Sequence, residues 1–279
     1  ASLRTNLIYP CIRAKRKVGY DAIRGKDGHG YFVHERIPFK RVHTLQGFMQ
    51  FADYIGADVS DVKWDLPLVP EAMQWVDAFI IEKSLNSKPL ILINAAASKP
   101  ERTWMVECYI EMIQYLKQKY QAHVILCGGP SAFEQDLAHQ ISNQVDVINL
   151  VGKTKLPQLL ALVHRADLLI CPDTGPSHMA AALSTPVIAL HAVTRPEISG
   201  PFGQLQYVVD GYSEAQQFTA SSRKKIKDKD WFHKNHHPDA MSFVKLEAVK
   251  QKIAEILSGL FDINGDFKFS NYNKRNSSF

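Results

Sequence analysis

From Pro89 onward the chain alternates short, wholly apolar runs with longer stretches whose apolar residues recur every three or four positions. The runs Leu90-Ile91-Leu92-Ile93-Asn94, Val124-Ile125-Leu126-Cys127, Val147-Ile148-Asn149-Leu150, Leu168-Leu169-Ile170, Val187-Ile188-Ala189-Leu190 and Tyr207-Val208-Val209 have strand length and little polar alternation. That is the pattern of strands buried on both faces of a sheet. Between them lie helical stripes: Tyr109, Met112, Ile113, Leu116 and Tyr120; then Phe133, Leu137 and Ile141; then Leu156, Leu159, Leu160 and Val163, with Thr154 as the expected cap. Strands separated by helices of this length predict an α/β fold with a right-handed, doubly wound parallel sheet. Ligands on such sheets sit beyond the carboxyl ends of the strands.

The first part of the chain has a different texture. Leu3, Leu7 and Ile8 suggest an amphipathic helix already under way at Ala1, which is not a methionine, so a fragment lacking its amino-terminal part is expected. A short strand is predicted near Arg16–Asp21, a glycine-rich loop at Arg24–His29, and a helix from Val42 to Ile55 that turns Leu45, Phe48, Met49, Ala52 and Ile55 toward a core. Another helix is expected over Glu71–Leu85. The Asn86-Ser87-Lys88-Pro89 break suggests a boundary, giving a partial first domain at 1–86 and a second at 87–213. Residues 214–279 then read as an aperiodic loop to Asp239 and a helix over Ser242–Leu260, which is expected to pack back toward the first domain.

Composition narrows the class. With 46% hydrophobic and 22% charged residues among 279, neither disorder nor a fibrous architecture is favoured, and no apolar run nears the ~20 residues of a membrane span. A formal charge of +5 favours anionic partners, although much of it lies in Arg13–Lys17 and Arg223–Lys227, runs that read equally as solvated faces. The four cysteines are widely spaced and suggest no disulfide framework or zinc knuckle, as expected of a cytoplasmic protein. His233, His236 and His237 lack partners at metal-ligand spacing, and Asp228-Lys229-Asp230 sits in a lysine run, so no bound metal is expected. Basic residues without interleaved exposed aromatics give no case for nucleic acid.

The chemistry concentrates at Asp173-Thr174-Gly175-Pro176-Ser177-His178-Met179-Ala180-Ala181-Ala182, where an apolar strand delivers its end into a helix start. Thr174 or Asp173 suits the cap, Gly175 admits close backbone approach, and Pro176 suits the first turn. Unpaired amides and the positive end of the helix dipole attract a phosphate there; the same stretch also serves as an ordinary capped helix. Two further strand ends share this sheet edge, Asn94 through Lys99 and Cys127-Gly128-Gly129-Pro130. Ser98 can donate to a phosphate oxygen, and Lys99 or Arg102 can neutralise a departing diphosphate, or both cations can be plain surface charges. Glu134, one turn into the following helix, can accept ribose hydroxyls or simply stabilise that helix. His178 can face a ligand or pack.

These residues carry a resemblance. Asp173 through Leu183, Pro186-Val187-Ile188-Ala189-Leu190 and Gly200-Pro201-Phe202-Gly203 resemble the donor-binding segment of the bacterial lipopolysaccharide heptosyltransferases, glycosyltransferase family 9. Ala95 through Trp104 is similar to that family's stretch of small, hydroxyl, basic and acidic residues before a tryptophan, and Arg4, Gly19-Tyr20-Asp21 and Arg24 resemble its acceptor side. The resemblance implies a GT-B architecture of two Rossmann-like domains facing a cleft, the first incomplete in this chain. It implies transfer of heptose from ADP-heptose, a co-substrate rather than a cofactor, to the Kdo region of lipid A inner core, with inversion and without metal, at the inner face of the inner membrane. Thr174 and Gly175 would hold the diphosphate with Ser98 and Arg102, Asp173 and His178 the heptose, Glu134 the ribose, and Arg4 and Arg24 the acceptor. Two departures stand out: Ala97 and Ser98 replace the usual threonines, and the family's general base, an Asp in a Gly-Asp loop, is expected upstream of Ala1. A nucleotide-sugar-binding module without turnover, or a sugar-nucleotide epimerase of similar fold, remain as alternatives.

Overall fold

In the computed structural model, which describes residues 3–219, 231–261 and 267, the chain forms two compact units. The first comprises residues 3–63 with 231–233, the second 64–219 with 234–261 and 267.

The first unit is built on α1 (Leu3–Asn6), a parallel strand pair β1 (Val18–Tyr20) and β2 (Glu35–Ile37), and α2 (Thr44–Tyr54). Its order comes from polar ties. Asn6 and His29 are buried, and Tyr20 donates its amide to His29 Nε2 at 3.1 Å, so the Nδ1 proton goes to Asn6 Oδ1 at 2.9 Å. Asn6 Nδ2 donates in turn to the carbonyls of Lys26 and Asp27, closing the glycine-rich loop. Gly19 has to be glycine here: a Cβ would stand 2.3 Å from His29 Nε2 and 2.6 Å from Val33. Two expectations are corrected. Leu3, Leu7 and Ile8 face outward while Asn6 is the buried member of α1, and α2 buries none of its residues, with Phe48 55% and Ile55 69% exposed. Two strands offer too little apolar surface to cover a helix face; α2 instead sets Phe51 edge-on against Tyr20 and donates Tyr54 Oη to Glu35.

The second unit begins with α3 (Pro70–Glu82) and then alternates as far as α9: β3 (Leu90–Ile93), α4 (Val106–Tyr120), β4 (His123–Leu126), α5 (Ala132–Ser142), β5 (Ile148–Asn149), α6 (Leu156–Arg165), β6 (Leu168–Pro172), α7 (Gly175–Ala182), β7 (Val187–His191), α8 (Pro196–Ser199), β8 (Val209–Asp210) and α9 (Tyr212–Thr219), with α10 (Leu246–Leu257) beyond. All six strands are parallel, in the order β5-β4-β3-β6-β7-β8. The period of two along each strand feeds two cores. Ile91, Ile93, Leu126, Ile170 and Leu190 meet α4, α5 and α10 on one face; Leu90, Leu92, Ile125, Leu169 and Val187 meet α3, α6 and α7 on the other. The order reverses direction between β3 and β6, and there the crevice for a ligand opens.

Three local readings change. The expected loop after Glu214 contains α9, two turns started by Asp210 Oδ1 accepting the Tyr212 amide, too short to show a period. The start of α6 is closed by Gln158 Oε1 accepting the Lys155 amide rather than by Thr154. The C-terminal helix α10 packs Val249, Ile253 and Leu257 into the second unit's own core. Asp228, Lys229 and Asp230 lie outside the described residues.

α3 is tied to α6 by a bidentate pair, with Arg165 Nε and Nη2 donating to Asp77 Oδ1 and Oδ2 at 2.8 and 2.9 Å. The Arg165 side chain is 4% exposed and that of Asp77 33%, so Asp77→Ala strands a buried charge beside solvent-screened surroundings. We expect it to cost about 2 kcal/mol in urea denaturation, below the range for fully buried pairs. A loss under about 0.5 kcal/mol would show the pair to be dispensable.

Burial holds the His29 imidazole below its ordinary value of 6.5. A depressed histidine is neutral in the fold, so its contribution is complete above that ordinary value and falls as the pH drops through the folded-state value. Protonation would put a hydrogen on Nε2 against the Tyr20 amide. Stability of the first unit, followed by near-ultraviolet circular dichroism, is therefore expected to fall below about pH 6.5, and the slope to diminish in His29→Gln. An unchanged slope would overturn the assignment.

Candidate functional site

The carboxyl ends of β3, β4 and β6 surround a cavity of about 600 Å³, lined by Asn94, Ala96, Ser98, Arg102, Gly128, Gly129, Glu134, Asp173, Thr174, Gly175 and His178, with Thr154 to Leu156 and Leu159 along one side. All seven residues singled out on the donor side of the sequence thus line one space. Arg4 and Arg24 belong to the first unit. Arg4 is exposed. Arg24 is held inside that unit by Asp21 Oδ2 at 2.5 Å, Gln50, and the carbonyls of Ile37 and Pro38, with its guanidinium 4.9 Å from the Tyr20 ring centre.

The turn after β6 is less an ordinary cap than a polar junction. Thr174 occupies the cap position of α7 but makes no capping bond; its hydroxyl lies 3.2 Å from Pro172 O and 3.4 Å from Asn94 Oδ1. Of the first three residues of α7, Pro176 has no N–H and Ser177 N donates to Thr174 O, which leaves the Gly175 amide to the cavity. Asn94 joins all three strand ends, since its Nδ2 donates to Cys127 O at 3.1 Å. Asn94 was visible in the sequence only as the polar residue ending an apolar run, which is the signal that could have marked it.

Asp173 is 7% exposed, and one of its oxygens, Oδ2, accepts from Arg102 Nη2 at 2.6 Å, Thr194 Oγ1 at 2.6 Å and Ser199 Oγ at 3.1 Å. Burial pushes this carboxyl up, but His191, Thr194, Arg102 and Ser199 together outweigh it and hold it below its ordinary value. Arg102 Nη2 also donates to the Asp173 carbonyl at 2.5 Å, which fixes the guanidinium against the turn, while its buried Nε has no acceptor among the described residues. Lys99 pairs instead with Glu101 at 4.0 Å. The loop carrying Ser98 and Arg102 is anchored at both ends, by Tyr109 Oη on Ala95 O at 2.9 Å and by the buried Trp104 Nε1 on Val244 O at 3.0 Å.

On the opposite wall, Ser131 caps α5 by accepting the Glu134 amide. The Glu134 carboxylate folds back over Gly128-Gly129, so closely that a Cβ on Gly129 would lie 2.7 Å from its Oε2. That oxygen is buried with no partner among the described residues, an acceptor awaiting hydroxyl or amide donors. His178 is exposed on α7 at the cavity rim.

Among the described residues no group of three or more His, Cys, Asp or Glu is placed to hold a metal ion. His236 Nδ1 lies 2.7 Å from Glu101, and His237 Nδ1 accepts the Asp239 amide. No helix of the described residues is long and apolar enough to cross a membrane.

Comparison with known proteins gives this chain a family. Residues 1–229 match glycosyltransferase family 9 (heptosyltransferase). The lipopolysaccharide core heptosyltransferase OpsX of Haemophilus influenzae is 33% identical over 264 residues, covering 93% of this chain and 73% of that protein. Among solved structures, a family 9 glycosyl transferase from Veillonella parvula superposes with a TM-score of 0.70 at 19% identity, over 92% of this chain and 72% of that one. The E. coli heptosyltransferase WaaC with ADP-2-deoxy-2-fluoro heptose superposes with a TM-score of 0.57 at 19% identity, over 90% and 69%. At these identities the structures speak for the fold, a parallel α/β sheet of the GT-B heptosyltransferases. The sequence match over residues 1–229 and the one-third identity across nearly the whole chain place it, as a heptosyltransferase, in glycosyltransferase family 9.

Proposed function

We propose that this chain moves a heptose from ADP-heptose to the Kdo region of the lipopolysaccharide inner core, and that the cavity at the β3–β6 crevice is its donor site. The observation that carries the reading is the pairing of two unlike walls. One wall holds the Glu134 oxygen that has no partner among the described residues, suited to the vicinal hydroxyls of a ribose; the other holds Arg102 and the Gly175 amide at the start of α7, suited to a diphosphate. A nucleoside diphosphate sugar has those groups in that order, and the relatives' names and the bound analogue in WaaC supply the base and sugar.

In the reaction so drawn, an acceptor hydroxyl oxygen bonds to the anomeric carbon as the carbon–oxygen bond to the diphosphate breaks, ADP leaves with the electron pair, and a base takes the hydroxyl proton. Ser98, Thr174, Gly175 and Arg102 stabilise the growing charge on the diphosphate, which gives electrostatic help without a cation. Asp173 is engaged with Arg102, Thr194 and Ser199, which favours direct displacement with inversion over attack by this carboxylate. Asp173 and His178 meet the heptose. On the acceptor side, the exposed Arg4 suits acidic groups directly, and Arg24 shapes the loop beside it.

Calorimetric titration is expected to show ADP and ADP-heptose binding with no added divalent ion, and transfer to a Kdo-bearing acceptor is expected to persist in EDTA with inverted anomeric configuration. Absence of nucleotide binding would sink the donor-site reading, and binding without transfer would leave a nucleotide-binding module. Gly129→Ala offers a narrower check. The new methyl displaces the flexible Glu134 carboxylate at little cost to folding, so ADP affinity should fall about tenfold with a nearly unchanged melting temperature. Unchanged affinity would remove Glu134 from the ribose site.

A further inference from the structure

We infer that Thr194 and Ser199, on the segment between β7 and the end of α8, are positioning residues that hold Asp173 in the one orientation in which it can fix Arg102 and still present an oxygen to the donor. The inference rests on the donor-site reading above.

Three donors converge on Asp173 Oδ2, two of them hydroxyls from this segment, and Oδ1 has no protein donor among the described residues. A carboxylate loaded this unevenly cannot rotate without breaking all three bonds. Thr194 is itself oriented. Its single hydroxyl proton goes to Asp173 at 2.6 Å, so the contact of 3.3 Å between Thr194 Oγ1 and His191 Nδ1 is a donation from the ring. His191 is 1% exposed, and its Nδ1 proton faces Thr194 O and Oγ1. Donation therefore runs from His191 at the end of β7 to Thr194 and on to Asp173, where it meets the donation from Arg102 in the cavity. Ser199, closing α8, supplies the second hydroxyl from the far end of the same segment.

The chemistry separates this role from direct substrate contact. Neither Thr194 nor Ser199 lines the cavity, so each acts through Asp173. Losing the Thr194 hydroxyl frees the carboxylate to swing toward Arg102 or into the donor space, and the guanidinium loses its register against the diphosphate. Thr194→Ser keeps the donor; Thr194→Val keeps the shape and removes it.

The test uses the full chain, with ADP as calorimetric probe and ADP-heptose as variable substrate in transfer assays. Thr194→Val is expected to raise the ADP Kd and the donor KM about fivefold, with the acceptor KM unchanged, and Thr194→Ser to restore both. In an Arg102→Gln background, where there is no guanidinium to position, Thr194→Val should change the ADP Kd less than twofold. Ser199→Ala, whose contact is longer and which is only partly buried, should show a smaller effect of the same kind and serves if Thr194→Val melts below the assay temperature. Equal effects of Thr194→Val in both backgrounds, an affected acceptor KM, or failure of serine to rescue would overturn the inference. Failure of the unsubstituted chain to bind ADP would overturn the donor-site reading beneath it.

Discussion

The reversal of strand order between β3 and β6 is the constraint on which the functional part of the molecule depends. From β3 the chain crosses through α4 and α5 on one face; from β6 it crosses through α7 on the other. Loops leaving two adjacent strands in opposite directions cannot fill the space between them, so a crevice is a topological result rather than a sculpted one. What the particular residues decide is its chemistry. Asn94 and Asp173, the residues just beyond those two strands, carry buried polar groups where apolar neighbours would have closed the gap.

Charge in this crevice is organised by internal pairing. A buried carboxylate beside a half-buried guanidinium is stable only when both are richly hydrogen bonded. Here the acid takes its donors on one oxygen and the base holds its place through the acid's own backbone carbonyl. The positive potential at the start of α7 is therefore tuned by Arg102, which the turn itself holds in place.

Much of the second unit was legible in the sequence because each strand is apolar on both faces and each long helix presents a stripe. Donor-side candidates were legible because glycines and hydroxyls at strand ends have few other uses. Thr194, Ser199 and His191 were not: nothing local distinguishes a threonine that bonds an aspartate 21 positions earlier from one that bonds solvent. The stripe over Leu45, Phe48 and Ile55 misled for the converse reason, since a period tells which residues share a face but not whether two strands can cover it. Arg24 shows a third limit: the sequence marks the arginine, and only the fold reveals that four groups of its own unit already hold it.

The bond from Trp104 to the carbonyl of Val244 spans 140 positions. It has a consequence for the order in which the protein is made. A nascent chain can assemble β3 to β7 once those strands have emerged, because all of their pairings, that of β3 with β6 included, lie between Leu90 and His191. The loop bearing Ser98 and Arg102 has to wait for a residue synthesised long afterwards, and contacts of such separation close late. The sheet is thus ready well before the pocket, and a chain still on the ribosome has the frame of a nucleotide site without its finished mouth.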